Sequence, residues 1–182
     1  MIPTEPGGGR AARRLHGCVS VAPFGGPPVI EQYEISLAVA ADAAAIAELS
    51  RDTIEHGLPW SWTARRVARS IRDRSTNVVV ARQARGLLGF AIMKYEEEEA
   101  HLLLLAVQSA ARRKGIGSAL LAWLEATVAV AGIGVVKLET RASNQDGRLF
   151  YRRHGFEDVG LQSGYYQGVE DAMQMCKDLR RR

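Results

Sequence analysis

Cysteine is scarce in this chain: its 182 residues hold two, Cys18 and Cys176. That excludes a disulfide-built scaffold, a four-thiolate zinc centre and a Cys-x-x-Cys redox site. Long hydrophobic runs are missing as well. The longest, His101-Leu-Leu-Leu-Leu-Ala-Val107, has the length of a strand and falls far short of the ~20 apolar residues a membrane span needs. Proline disappears after Pro59, as expected of a compact and regularly structured body. A surplus of positive charge is absent where it would matter. The formal net charge is +4, but Arg10, Arg13, Arg14 and Arg180–Arg182 sit at the two ends, and residues 31–179 carry 18 Lys and Arg against 19 Asp and Glu. Binding to nucleic acid through phosphate contacts is therefore disfavoured. No compact apolar stretch follows the early arginines, so a secretory signal is not expected and the cytoplasm is the expected compartment.

What is present fits one domain. Hydrophobic residues make up 47%, enough for a sizeable core at this length. Five of the six prolines and six of the eighteen glycines lie in the first 28 residues. That stretch has little apolar surface to offset its ordering entropy, so residues 1–33 are expected to be a flexible leader and 34–182 the folded domain.

Periodicity gives the order of elements. A strand is expected over 33–39, then a helix capped by Asp42 running to about His56, broken by Gly57-Leu-Pro-Trp60. Thr63 caps a second helix to about Arg74. Strands at 77–83 and 87–96 are joined by a turn at Ala84-Arg85-Gly86, and a third follows at 99–107. Ile116, Leu120, Leu121, Leu124 and Val128 keep helical spacing between Gly115 and Ala131, with Gly132 placed as a stop. A strand at 135–141, a helix at 144–154 and two strands around a turn at 163–168 complete a mixed α/β sheet. Its first half is antiparallel, and a crossover helix joins a parallel pair.

The segment with chemical content is Arg112-Arg113-Lys114-Gly115-Ile116-Gly117-Ser118, between a buried strand and an amphipathic helix. Two glycines let backbone approach a ligand closely, and the first helical turn offers unpaired N–H groups at the positive end of the helix dipole. Both suit a phosphate. A lone G-x-G beside solvated charges can equally be a plain strand-to-helix turn. A dinucleotide fingerprint would need a third glycine where Leu120 stands, and the G-x-x-x-x-G-K-[ST] loop of nucleotide triphosphatases is absent.

The loop is similar to the Q/R-x-x-G-x-G/A pyrophosphate loop of the GNAT superfamily of N-acetyltransferases. The resemblance extends to Leu138-Glu-Thr-Arg-Ala-Ser-Asn144, to Leu149-Phe-Tyr-Arg-Arg-His-Gly-Phe156, and to Gly164-Tyr165-Tyr166 followed by Glu170-Asp171-Ala172-Met173 and Met175. These look most like the ribosomal-protein-alanine N-acetyltransferase branch, over about residues 34–179. The resemblance implies the GNAT fold: about seven strands, a splayed central parallel pair and about four helices.

It also implies acetyl-CoA as acyl donor and no metal. The main chain of Leu105, Ala106 and Val107 would hold the pantetheine arm. Arg112, Arg113, Lys114, Gly115, Ile116, Gly117 and Ser118 would hold the pyrophosphate, and Asn144 would contact the arm. Glu139 would be the general base that deprotonates an amine, and Tyr151 the general acid that protonates the departing thiolate. Tyr165, Tyr166 and Trp60 would border the acceptor, expected to be a protein or peptide N-terminus. A small amine such as an antibiotic or polyamine is the alternative, and a silent acyl-CoA-binding module a further one. Each residue also has a plainer role. Glu139 can be a solvated strand residue, Tyr151 a packing partner of Phe150, and Glu96–Glu99 either rival bases or a wet hairpin end. His101 and His154 have no partner pattern and read as structural, and Arg65, Arg69 and Arg72 read as a wet face, although the resemblance implies that their helix borders the acceptor site. Gly147, where the branch commonly has Ala, costs its helix roughly 1 kcal/mol, and closer cofactor approach is the expected reason. Acceptor identity and oligomeric state are not encoded in any of these motifs.

Overall fold

The computed structural model describes residues 33–84 and 86–180, together with the backbone of Leu15–His16. The leader and the hairpin residue Arg85 otherwise lie outside the described residues. Eight strands, β1 (Leu15–His16), β2 (Glu34–Leu37), β3 (Thr76–Gln83), β4 (Gly86–Tyr95), β5 (Glu99–Val107), β6 (Val135–Arg141), β7 (Glu157–Tyr166) and β8 (Glu170–Asp178), form one sheet in the order β1-β2-β3-β4-β5-β6-β8-β7. Every neighbouring pair is antiparallel except β5 and β6. Helices α1 (Ala43–Thr53) and α2 (Ala64–Arg72) cover one face. Helix α3 (Ile116–Val130) covers the other, where α4 (Gln145–Arg153) contributes Tyr151 to the core.

Both faces are covered, which is why β3 and β4 read as continuous apolar runs instead of alternating. Val78, Val80, Phe90 and Ile92 face α1 and α2, while Val79, Ala81, Ala91 and Met93 face α3. Thr63 caps α2 as expected, its hydroxyl accepting the Arg66 N–H at 3.4 Å. Asp42 differs from expectation. It closes a short 3-10 turn, accepts the Val39 N–H at 2.7 Å, and is gripped by both terminal nitrogens of Arg82 at 2.9 and 2.7 Å instead of capping α1.

One irregularity organises the centre of the sheet. Opposite β4, Ile92 pairs with Leu104 and Met93 with Leu102, so Leu103 is an extra residue in β5. Its effect shows in the packing. Ala100 and Leu102 belong to the α3-side core, whereas Leu104 and Ala106, still at alternate positions, belong to the α1–α2 side. A bulge reverses the parity of a strand and bends it. The parallel ladder between β5 and β6 runs from Glu99–Val135 to Leu102–Leu138 and ends at that bulge. Beyond it the two strands diverge.

Candidate active site

The divergence opens a cleft of about 1320 Å³, larger than the about 300–1,000 Å³ usual for a small-molecule site. Its walls are the free half of β5, the end of β6, the first turns of α3 and α4, the α1–α2 connection and the β7–β8 turn. At one end, Arg112, Arg113, Gly115, Ile116, Gly117 and Ser118 line it beside Leu105, Ala106 and Val107. Lys114 is exposed and outside the lining. The chain turns into α3 through two left-handed residues, Arg113 at φ 61° and Gly115 at φ 79°. Glycine takes this region freely, but an arginine does so at a cost of about 1 kcal/mol or more. The turn presents the first N–H groups of α3 to the cleft. Arg112 is braced by a bond from its Nε to the Val107 carbonyl at 3.2 Å.

Gly117 has a different basis. A Cβ there would meet the Phe150 ring at 3.5 Å and Leu105 at 3.7 Å, both ordinary contacts. Internal packing therefore does not require glycine at 117. Gly147 is the reverse: a Cβ would fall 2.4 Å from the Asn144 side-chain nitrogen. Asn144 is the N-cap of α4, accepting the Gly147 N–H at 3.0 Å while its amide nitrogen donates to Thr140 at 3.3 Å. Room for this cap is a demand that the fold itself makes on the glycine.

At the other end, Glu139 and His101 face the α1–α2 side from adjacent strands. His101 Nε2 lies 2.5 Å from Glu139 Oε2, and the Tyr165 hydroxyl donates to the same oxygen at 3.4 Å. The bond to Glu139 raises the His101 pKa, with help from the charges of Glu96 and Glu99 and against partial burial. His101 thus has a partner in Glu139, which its place in the sequence did not reveal. Only the parallel register brings the two together, since β5 pairs His101 with Lys137, two residues from Glu139. None of Glu96–Glu99 lines the cleft, and Glu99 is ion-paired with Lys137.

Tyr151 lines the cleft from α4, 9% exposed, with its ring edge-on to Phe150 and Phe156. Burial, followed by the neighbouring Tyr166, pushes its phenol above the usual tyrosine range. The group keeps its proton at any physiological pH. His154 also has partners: Nδ1 at 2.8 Å from the Phe150 carbonyl and Nε2 at 2.9 Å from the Ser118 hydroxyl. A carbonyl only accepts, so Nδ1 carries the proton. In the neutral ring Nε2 then accepts from Ser118, tying α4 to the first turn of α3.

Two polar clamps that the sequence did not reveal, one buried and one half-buried, shape the acceptor end. Glu55 is 6% exposed and accepts the Ser61 N–H and hydroxyl, both at 2.6 Å, and the Trp62 N–H at 3.2 Å. Arg141 donates to the Ile54 and His56 carbonyls at 2.7 Å each and to Glu170 at 3.1 Å, beneath the Tyr166 ring. Together they hold the α1–α2 connection against β6 and the Tyr165–Tyr166 turn. That clamping turns Trp62 and Arg66 toward the cleft. Trp60 does not line it; it is 44% exposed and stacks with Arg51. The two tyrosines meet edge-to-face at 5.0 Å, and burial with the neighbouring Tyr165 pushes the Tyr166 pKa up to about 12.

A sheet splayed at a bulge, with a left-handed turn into a helix at one end of the cleft and a carboxylate and phenol further along, is the arrangement that the sequence resemblance implies. Comparison with known proteins agrees. Residues 74–158 match the acetyltransferase (GNAT) domain. The chain is 32% identical to the [ribosomal protein bS18]-alanine N-acetyltransferase of Escherichia coli over 124 residues, 66% of this chain and 82% of that protein. It is 37% identical to an uncharacterized N-acetyltransferase of Methanocaldococcus jannaschii over 92 residues, 50% of this chain and 59% of that one. The crystal structure of the ribosomal-protein-S18-alanine N-acetyltransferase from Escherichia coli superposes with a TM-score of 0.70 at 28% identity, covering 81% of this chain and 94% of that one. The fold is shared with an N-acetyltransferase from Thermoplasma acidophilum solved in complex with coenzyme A, at TM-score 0.68 and 21% identity, covering 80% and 98%. The chain belongs to the GNAT acetyltransferase family.

Proposed function

We propose that this enzyme acetylates the N-terminal amine of a polypeptide, with Glu139 as general base and Tyr151 as general acid. The observation that carries the reading is the meeting of Glu139, His101 and Tyr165 at one end of a cleft whose other end is a phosphate-suited helix start. Acetyl-CoA supplies an activated acetyl thioester. The residues present fit it. Beyond Leu102 and Leu138 the facing edges of β5 and β6 no longer pair with each other, which leaves backbone donors and acceptors for an extended pantetheine arm at Leu105–Val107. Arg112, Arg113 and the N–H groups around Gly115–Ser118 suit the pyrophosphate, and Asn144 borders the arm. Ser118, its hydroxyl already engaged with His154, contributes through its backbone.

An alkylammonium cannot attack an acyl carbon until it loses a proton. Glu139 takes that proton, directly or through a water. His101 and Tyr165, both on Oε2, leave Oε1 as the oxygen that faces the amine. Tyr151, kept protonated by burial, gives its proton to the leaving sulfur. The paired rings of Tyr165 and Tyr166 offer flat surfaces and hydroxyls to an extended backbone, which favours a peptide over a small amine. A chain with two cysteines in 182 residues fits the reducing cytoplasm. Among the described residues no helix is long and apolar enough to cross a membrane, and no group of three His, Cys, Asp or Glu could hold a metal ion. Mass spectrometry of N-terminal peptides and common amines incubated with acetyl-CoA tests the reading. Acetylation at the α-amine of peptides is expected, and exclusive acetylation of small amines would overturn it.

A further inference from the structure

Helix α2 carries charge that neither its packing nor the reaction uses. Residues 64–74 hold five arginines against a single acid, Asp73. Asp73 is already engaged by Lys94 at 2.6 Å, Ser75 at 2.8 Å and Thr76 at 2.9 Å. Arg65, Arg69 and Arg72, spaced i, i+4 and i+7, form one exposed stripe, and none has a side-chain partner among the described residues. Val67 on the inner side is fully buried, so the helix cannot turn the stripe inward. Like charges one turn apart destabilise a helix, and apart from the helix dipole, which favours Arg69 and Arg72 in the last turn, nothing among the described residues compensates them.

The stripe is continuous with the cleft. Thr63, Arg65, Arg66 and Arg69 line a shallow depression, and Arg66 also lines the cleft itself. The Arg66 guanidinium lies over the Trp62 ring at 4.0 Å, which anchors it at the cleft mouth, where its charge is felt by the Tyr165 phenol. Resting on the peptide-acceptor reading above, we infer that the acceptor carries acidic side chains just after its N-terminal residue, and that Arg65, Arg66 and Arg69 recognise them. From Arg65 to Arg72 the helix rises about 10 Å, a length an extended peptide spans in about three residues. Guanidinium groups pair carboxylates in a fork geometry that ammonium groups cannot reproduce. The same field repels a polycationic small molecule and a basic peptide. RNA fits less well, because the body of the domain is not basic.

The test compares kcat/KM with acetyl-CoA for peptides sharing one first residue and bearing Asp/Glu, Ser/Gln or Lys/Arg at the next four positions. The acidic series is expected to exceed the basic one by about tenfold at low salt, from two or three partly exposed charge pairs. The preference fades at high salt. It should invert in Arg65→Glu/Arg69→Glu and flatten in the milder Arg65→Gln/Arg69→Gln. Equal rates for the three series, a basic preference, or a preference untouched by both variants overturns the inference and leaves the peptide reading standing. Tighter binding of a single-stranded oligoribonucleotide than of the acidic peptide, lost in the same variants, also overturns it. If no peptide of any charge is acetylated while calorimetry shows acetyl-CoA bound, the peptide reading itself has failed and this inference falls with it.

Discussion

Gly117 separates what the fold needs from what the ligand needs. A Cβ at this position would sit 3.5 Å from Phe150, an ordinary contact, so Gly117→Ala folds without strain. It should gain up to about 1 kcal/mol of helix propensity, which in a domain of this size raises Tm by roughly 2–4 °C. Gly117→Glu folds as well, because a carboxylate in the first turn of α3 is favourable to the helix dipole by about 0.3–1 kcal/mol. That carboxylate, however, lies on the cleft wall, where we propose that the pyrophosphate binds. Two like unit charges about 4 Å apart repel by about 1 kcal/mol in water and about 4 kcal/mol near a protein surface. Acetyl-CoA affinity should therefore fall by about fivefold to a thousandfold, with steric exclusion added. Calorimetry of acetyl-CoA against both variants, alongside their melting curves, reads the two effects separately. A Glu variant that melts like the parent and binds acetyl-CoA with unchanged Kd would show that the helix start is not the phosphate site.

Other outcomes follow from the same geometry. Glu139→Gln should lower turnover by about 10²–10⁴-fold with little change in acetyl-CoA affinity, and recover partly at high pH, where more amine is already deprotonated; an unaffected rate at neutral pH would assign the proton to another acceptor. Because Glu139 raises the His101 pKa, that pair stabilises the fold fully below about pH 6.5 and progressively less as pH rises through the raised value. The Tm difference between parent and Glu139→Gln should accordingly be larger at pH 5.5 than at pH 9, and a difference that grows with pH would refute the pairing. Replacing Tyr165 and Tyr166 together by alanine should cut acetylation of peptides while sparing the slow hydrolysis of acetyl-CoA, measured by free thiol release. Removing residues 1–33, which takes away only the two-residue edge strand β1 from the described sheet, should leave activity intact, and a large fall in Tm on that deletion would show that the segment stabilises the fold.

The sequence by itself determined most of the elements and their order. Strand β5 at 99–107 and strand β6 at 135–141 have the bounds that periodicity assigns, and Thr63, Asn144 and Gly132 end or begin helices for reasons local to a few residues. Such signals are legible because caps, turns and amphipathic spacing depend on neighbours in the chain. The left-handed turn at Gly115 is of this kind. What only the tertiary structure decided depends on register between distant strands. The extra residue Leu103 leaves no trace in the burial rhythm of β5, which alternates evenly through it; only its pairing with β4 shows that the strand changes face. The splay, and hence the cleft, follows from that bulge. The contact of His101 with Glu139 needs the β5–β6 register, and the clamp of Arg141 on Ile54 and His56 joins residues more than eighty positions apart. That clamp and the buried Glu55 turn Trp62, not Trp60, to the cleft, and they leave the arginine stripe of α2 beside it. Long-range pairing fixes these placements because a shift of one residue would reverse every side chain in the strand.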